Sequence, residues 1–235
     1  MKRFSLLVIL CLTGVANAAT FSSLDVLTQP QFRTLSENLT SATHYKGIAP
    51  AEPLGILGFD LGLGISSTTV NEQVFDIADE NDFDLKSILL PRISVQKGLP
   101  LGFDVGASFS GAPGTDIKLL GAEVRYAILK GNIALPAIGI RASHSVLQGL
   151  DELEVDSTAI ELSISKGFVN LTPYAGIGAV RSNSTPKGAA TLQKESYSQT
   201  KTYVGLNLNL GFNFTVEADR TGDYTSYSIK TGFRF

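Results

Sequence analysis

From Gly55 to Phe235 apolar residues recur at every second position, in ten segments separated by turn residues. A period of two marks strands with one apolar face. The first segment sets Leu57, Phe59, Leu61, Leu63 and Ile65 against Gly58, Asp60, Gly62, Gly64 and Ser66, and the fourth sets Leu120, Ala122, Val124, Tyr126 and Ile128 against Gly121, Glu123 and Arg125. Tight Lys-Gly turns, as at 97–98, 130–131 and 166–167, join strands at one end, and longer polar stretches (Asn71 to Ser87, Gln148 to Asp156, Arg181 to Thr200) join them at the other. An even number of strands with this connection pattern predicts an antiparallel barrel with no free edge.

Alternation alone does not say which face is outside. An exported soluble barrel of lipocalin type, holding an apolar ligand, would turn the apolar face inward. Three features favour the opposite. The polar face is rich in Gly and Ser, small residues that suit a crowded interior. It carries charges of both signs, five against five: Asp60, Asp104, Glu123, Glu161 and Glu217 with Arg92, Arg125, Arg141, Lys230 and Arg234. Paired charges fit a lumen, because an unpaired buried ion is costly. The apolar face is almost free of charge, as hydrocarbon requires, since a central Arg or Lys facing lipid costs ~2–4 kcal/mol. The low charged fraction, 17%, agrees. The fold expected is a ten-stranded antiparallel transmembrane β-barrel over 55–235.

The chain before Gly55 reads differently. Lys2 and Arg3, an apolar run from Phe4 to Leu12 and the small residues of Ala16-Asn17-Ala18 read as a secretory signal removed after residue 18. The single cysteine, Cys11, would leave with it, so no disulfide is expected. Residues 19–54 contain Phe32, Leu35, Leu39 and Ala42 at helical spacing, then a Pro-rich link, "GIAPAEPLG". A short amphipathic helix follows from that pattern. An even-stranded barrel returns both ends of its chain to one side, so the helix is expected to begin there. Lying across the mouth is expected to be easier than entering a bore of roughly 10 Å backbone radius.

The closing stretch "YSIKTGFRF" ends on an apolar residue in mid-pattern. With the signal and the ten alternating segments it resembles bacterial outer-membrane β-barrel proteins. The resemblance implies that Tyr227, Ile229, Phe233 and Phe235 form the terminal signal read by the barrel-insertion machinery, with outer-membrane lipid and lipopolysaccharide as surroundings. A net charge of −3 with no basic cluster excludes a nucleic-acid partner. A lipid-facing surface without charged patches suggests a monomer.

Chemistry-bearing clusters are few. In Ser143-His144-Ser145 neighbouring side chains point to opposite faces, so His144 and the serines cannot form a hydrolase pair, and no enzyme activity is expected. The acidic stretch with Asp76, Asp79, Glu80, Asp82 and Asp84 lacks the spacing and glycine of a calcium loop. Neither a metal nor a cofactor is called for. The function expected is a narrow charged lumen allowing limited passage of small polar solutes. The alternative is a non-transporting barrel acting through its outer loops.

Overall fold

The computed structural model describes residues 24–78, 86–111, 117–187, 189 and 191–235. Among them are β1 Phe59–Thr69, β2 Ser87–Gly98, β3 Phe103–Gly111, β4 Lys118–Lys130 and β5 Ala137–Gln148. The second half continues with β6 Leu153–Ser165, β7 Leu171–Pro186, β8 Glu195–Asn209, β9 Asn213–Thr221 and β10 Tyr224–Arg234. Each strand pairs antiparallel with its sequence neighbours, and β10 returns to β1 to close the barrel. At the seam Asp60 faces Arg234 and Ile65 faces Ile229. Phe235 extends the seam by one rung, donating its N–H to Phe59 O at 3.0 Å and accepting from Phe59 N at 2.7 Å.

The apolar face is outside. Leu61, Ile93, Phe109, Leu120, Ile160, Ile177, Val204 and Ile229 are all exposed, whereas the alternating polar residues are buried. A soluble barrel of lipocalin type is the reverse of this. Aromatic rings gather where β1 begins and β10 ends: Phe59 meets Phe235 at 4.0 Å, Phe103 meets Tyr126 at 4.7 Å and Phe212 meets Phe233 at 4.8 Å between centroids. An apolar belt bordered by an aromatic girdle is the exterior of a transmembrane barrel. This girdled end is called the turn end below, and the opposite one the loop end.

Strand lengths depart from the sequence pattern at two places. β1 starts at Phe59, and Leu57 lies before it, fully in the open at 89% exposure. Most of the expected loop from Arg181 to Thr200 is strand, because β7 runs to Pro186 and β8 begins at Glu195. β7 and β8 are 16 and 15 residues long, against the ~9–11 needed to cross a bilayer. Their surplus rises beyond the apolar belt, where the outer face meets water and apolar alternation has no cause.

Glycines on the inner face make room for tyrosines across the strand pair. Tyr174 lies over Gly205 and Tyr203 over Gly176, each opposite the other in register. A Cβ built on Gly205 would stand 2.2 Å from Tyr174 Cζ. Aromatic rings covering strand glycines pin register in this way. Gly205→Ala should therefore lower stability by about 1–3 kcal/mol, as overpacking does. The denaturant midpoint of the refolded protein measures it, and an unchanged midpoint would mean that Tyr174 moves aside freely.

Candidate functional site

The lumen is occupied by the protein's own N-terminal segment, and in the direction opposite to that expected. Helix α1, Gln29–Thr43, sits at the loop end. Its start is set by Pro30 in the first turn and by Gln31 Oε1, which accepts the Thr28 N–H at 2.8 Å. Its apolar stripe, Phe32, Leu35 and Leu39, packs with Leu24, Leu119, Leu147, Leu153 and Val155 into a buried core. Val74 and Phe75 of a second helix, α2 Glu72–Ala78, close that core from above. Burying each such side chain stabilises by about 1.5–3 kcal/mol. The helix is further tied by Arg33 to Glu195 at 3.1 Å, by Thr40 to the Tyr197 hydroxyl at 2.8 Å and by Ser41 to Thr221 O at 2.8 Å. Burial alone would lower the Arg33 pKa, but Glu37 and Glu195 hold it above its ordinary value.

At His44 the backbone turns extended and the chain descends the bore as a single strand with no neighbour in the sheet. A lone extended segment in a closed lumen leaves its carbonyls and N–H groups unpaired, and each buried one needs a partner. The wall arginines supply them in descending order. Arg141 Nη2 donates to Gly47 O at 3.2 Å, Arg125 Nη1 to Pro50 O at 3.2 Å and Arg234 Nη2 to Glu52 O at 3.2 Å. Asp104 Oδ1 accepts the Leu54 N–H at 3.1 Å. Gly47 has no side chain for good reason, since a Cβ there would stand 2.3 Å from Arg141 Cζ. Residues 44–54 thus run from the loop end to the turn end, where β1 begins. The tight bore does not keep the segment out, because its polar wall takes over the backbone hydrogen bonds that water would otherwise make.

Each clamp also meets a carboxylate on the wall. Arg125 Nη2 donates to Asp104 Oδ2 at 2.9 Å, and Arg141 Nη1 to Glu161 Oε2 at 2.7 Å. Arg141 Nε also lies 2.8 Å from Glu123 Oε2, at ion-pair distance without hydrogen-bond geometry. Lys230 and Arg234 share Asp60 Oδ2 at 2.9 and 3.1 Å. Glu217 accepts from the Tyr174 hydroxyl at 2.7 Å. Arg92 is buried and makes no ion pair among the described residues. Nine of the ten charges expected in the lumen are buried, and Arg234, near the turn end, is part-buried.

Three lumen ions were missed by sequence reasoning. Lys46, on the plug, donates to Asp219 Oδ1 at 2.7 Å and to Ser226 Oγ at 3.0 Å. Lys201 reaches Glu161 Oε1 at 2.7 Å from a position read as the edge of a loop. Asp219 stands two residues beyond Glu217, on the same face of β9, a signal that the period-two rule carries. Lys46, a lone cation in an apolar and Pro-rich stretch, was the visible hint of an inward path.

Removing one clamp tests this geometry. Arg141→Met leaves Glu123 short of its close cation and Glu161 with Lys201 alone, and should cost about 3–5 kcal/mol by the usual penalty for orphaning a buried charge. Urea unfolding of the lipid-refolded protein reads it, and adding Glu123→Gln in the same chain should recover part of the loss. A loss below 1 kcal/mol would mean that water already solvates these groups.

Other sequence-level candidates fall apart in space. His144 faces outward and bonds Thr158 Oγ1 at 2.9 Å, while Ser143 and Ser145 are buried on the inner face. Ser145 donates to Thr43 O at 3.1 Å, a plug contact. Asp79, Glu80, Asp82 and Asp84 lie outside the described residues, as does the stretch expected to be an export signal. No group of three or more metal-ligating side chains occurs among the described residues. The terminal residues Tyr227, Ile229, Phe233 and Phe235 are exposed along one outer face of β10 and its end.

No protein-family model matches the chain, and no curated protein matches it. Solved structures similar to it include the N-terminal β-barrel domain of Pseudomonas aeruginosa OprF, at 12% identity and TM-score 0.38, covering 74% of this chain and 97% of that one. The KdgM porin follows at 11% and 0.37, covering 74% and 99%. Ail, the attachment invasion locus protein of Yersinia pestis, in complex with the heparin analogue sucrose octasulfate, matches at 14% and 0.33, covering 76% and 98%. With TM-scores below 0.5, these likenesses carry no weight beside the barrel's own geometry.

Proposed function

We propose that the protein is an outer-membrane barrel that stands closed, and that it acts through its loop-end cap. The observation that supports this reading is the row of clamps from Arg141, Arg125 and Arg234 to the backbone of residues 47–52. Arginines that looked like a selectivity path for solutes are spent on holding a plug. Where Lys46 and Ile48 of the plug meet Arg92 and Lys230 of the wall, the void left is about 10 Å³, room for one water. The turn end, with its aromatic girdle, belongs at the periplasmic face. The cap, built from α1, α2 and the rising ends of β7 and β8, belongs at the cell surface, among lipopolysaccharide.

Limited passage of small polar solutes is the second reading, and one observation favours it. The wall holds the backbone of residues 47–54 by hydrogen bonds from Arg141, Arg125 and Arg234 and to Asp104, bonds that water could take over if the segment withdrew. Purified protein in a planar bilayer separates the two. A closed barrel gives no unitary current at moderate voltage, whereas resolvable steps from the intact chain would overturn the closed reading.

A further inference from the structure

The seam between plug and wall has one place where cations meet without enough anions. Plug residue Lys46 and wall residues Arg92, Gln96 and Lys230 border a void of about 10 Å³. No carboxylate borders it among the described residues. Lys46 is already engaged by Asp219, and Lys230 by Asp60. Arg92 is different. It is 5% exposed, its Nε and Nη2 have no hydrogen-bond partner, and no carboxylate lies within ion-pair distance of it among the described residues. Glu217, three strands along the barrel on β9, is taken by the Tyr174 hydroxyl. A buried guanidinium left in this condition is a strong, preorganised donor without an acceptor.

We propose that the void is a binding site for one small monovalent inorganic anion of the chloride class, held by Arg92 and flanked by Lys46 and Lys230. The space admits about one water-sized particle, which excludes phosphate and sulfate. Because Lys46 belongs to the plug while Arg92 and Lys230 belong to the wall, the ion bridges the two and holds the plug in place. The inference rests on residues 24–54 filling the lumen, not on what the closed barrel does. Water is the rival occupant, since it would accept from Arg92 and donate to the unpartnered Gln96 Oε1.

Two measurements on the full chain decide. Crystals grown with bromide in place of chloride should show one anomalous peak within hydrogen-bond distance of Arg92. The unfolding midpoint in lipid should be higher in sodium chloride than in sodium gluconate of equal ionic strength, a binding effect that grows with halide concentration. Arg92→Met should remove both signals. No anomalous peak, with ordered water only, overturns the proposal. A peak without a chloride-dependent midpoint marks an adventitious ion only, and overturns it equally. The diffraction experiment needs no variant, so a failure of Arg92→Met to fold leaves it decisive. A peak in a protein that conducts would sink the closed-barrel reading and leave the site standing; a silent barrel without a peak would do the reverse.

Discussion

A chain lacking residues 24–54 should conduct ions in a planar bilayer where the intact protein is silent. Ten strands give a backbone radius of roughly 10 Å. With the plug gone, the inner face is left with Gly62, Gly106, Gly121 and Gly139, with short Ser and Thr side chains, and with charges whose extra hydrogen-bonding capacity would be taken by water. The loop-end core goes too, because Phe32, Leu35 and Leu39 supply its centre. Water should therefore fill the bore from both ends, and discrete current steps should appear. Folding of the shortened chain is checked by its gel mobility before and after heating, since a closed barrel resists detergent. A shortened chain that folds yet stays silent would show that the wall side chains collapse inward and that the plug is not what closes the barrel.

Cysteine placed at Val26 should be labelled by a membrane-impermeant maleimide on intact cells, and cysteine at Ile133 should not be labelled until the outer membrane is breached. Val26 is 61% exposed beside the loop-end core, whereas Ile133 is exposed on the turn between β4 and β5. The background is favourable, because the sole native cysteine, Cys11, lies in the stretch read as an export signal. The expected contrast is near-complete against near-zero labelling. Reversal of the two would turn the barrel over in the membrane, and labelling of neither on intact cells would place the cap out of contact with the exterior.

The barrel was legible because hydrocarbon is an unforgiving solvent. From Leu61 to Ile65 and from Tyr227 to Phe233 every second side chain faces outward, toward lipid, and the sequence has to show it. Where the wall leaves the lipid that pressure ends. "RSNSTP" at 181–186 is polar on both faces, so its strand character was hidden and the stretch read as a loop. The lumen charges were legible as a set and their partners were not. Arg141 and Glu161 are direct cross-strand partners that register could have paired, but Lys46 and Asp219 meet only because the plug descends. The helix stripe of Phe32, Leu35 and Leu39 was plain, yet an amphipathic stripe says only that something apolar covers it. Here the cover is the top of the barrel's own interior, a small core of the kind found in water-soluble domains.

The threaded segment also dictates an order of events during folding. Lys46 is held by Asp219, 173 positions later, Ser41 by Thr221, 180 positions later, and Glu52 by Arg234, 182 positions later. The earliest described residues cannot settle until the last two strands exist, so the plug cannot form on a growing chain. Contacts of such long sequence separation are slow to make. The segment must either wait beside an open sheet and be enclosed when β10 meets β1, or be drawn upward through a ring already shut. The first route needs no passage of Phe32 and its neighbours through a charged bore. Closure of the last seam and capture of the first helix would then be one cooperative step.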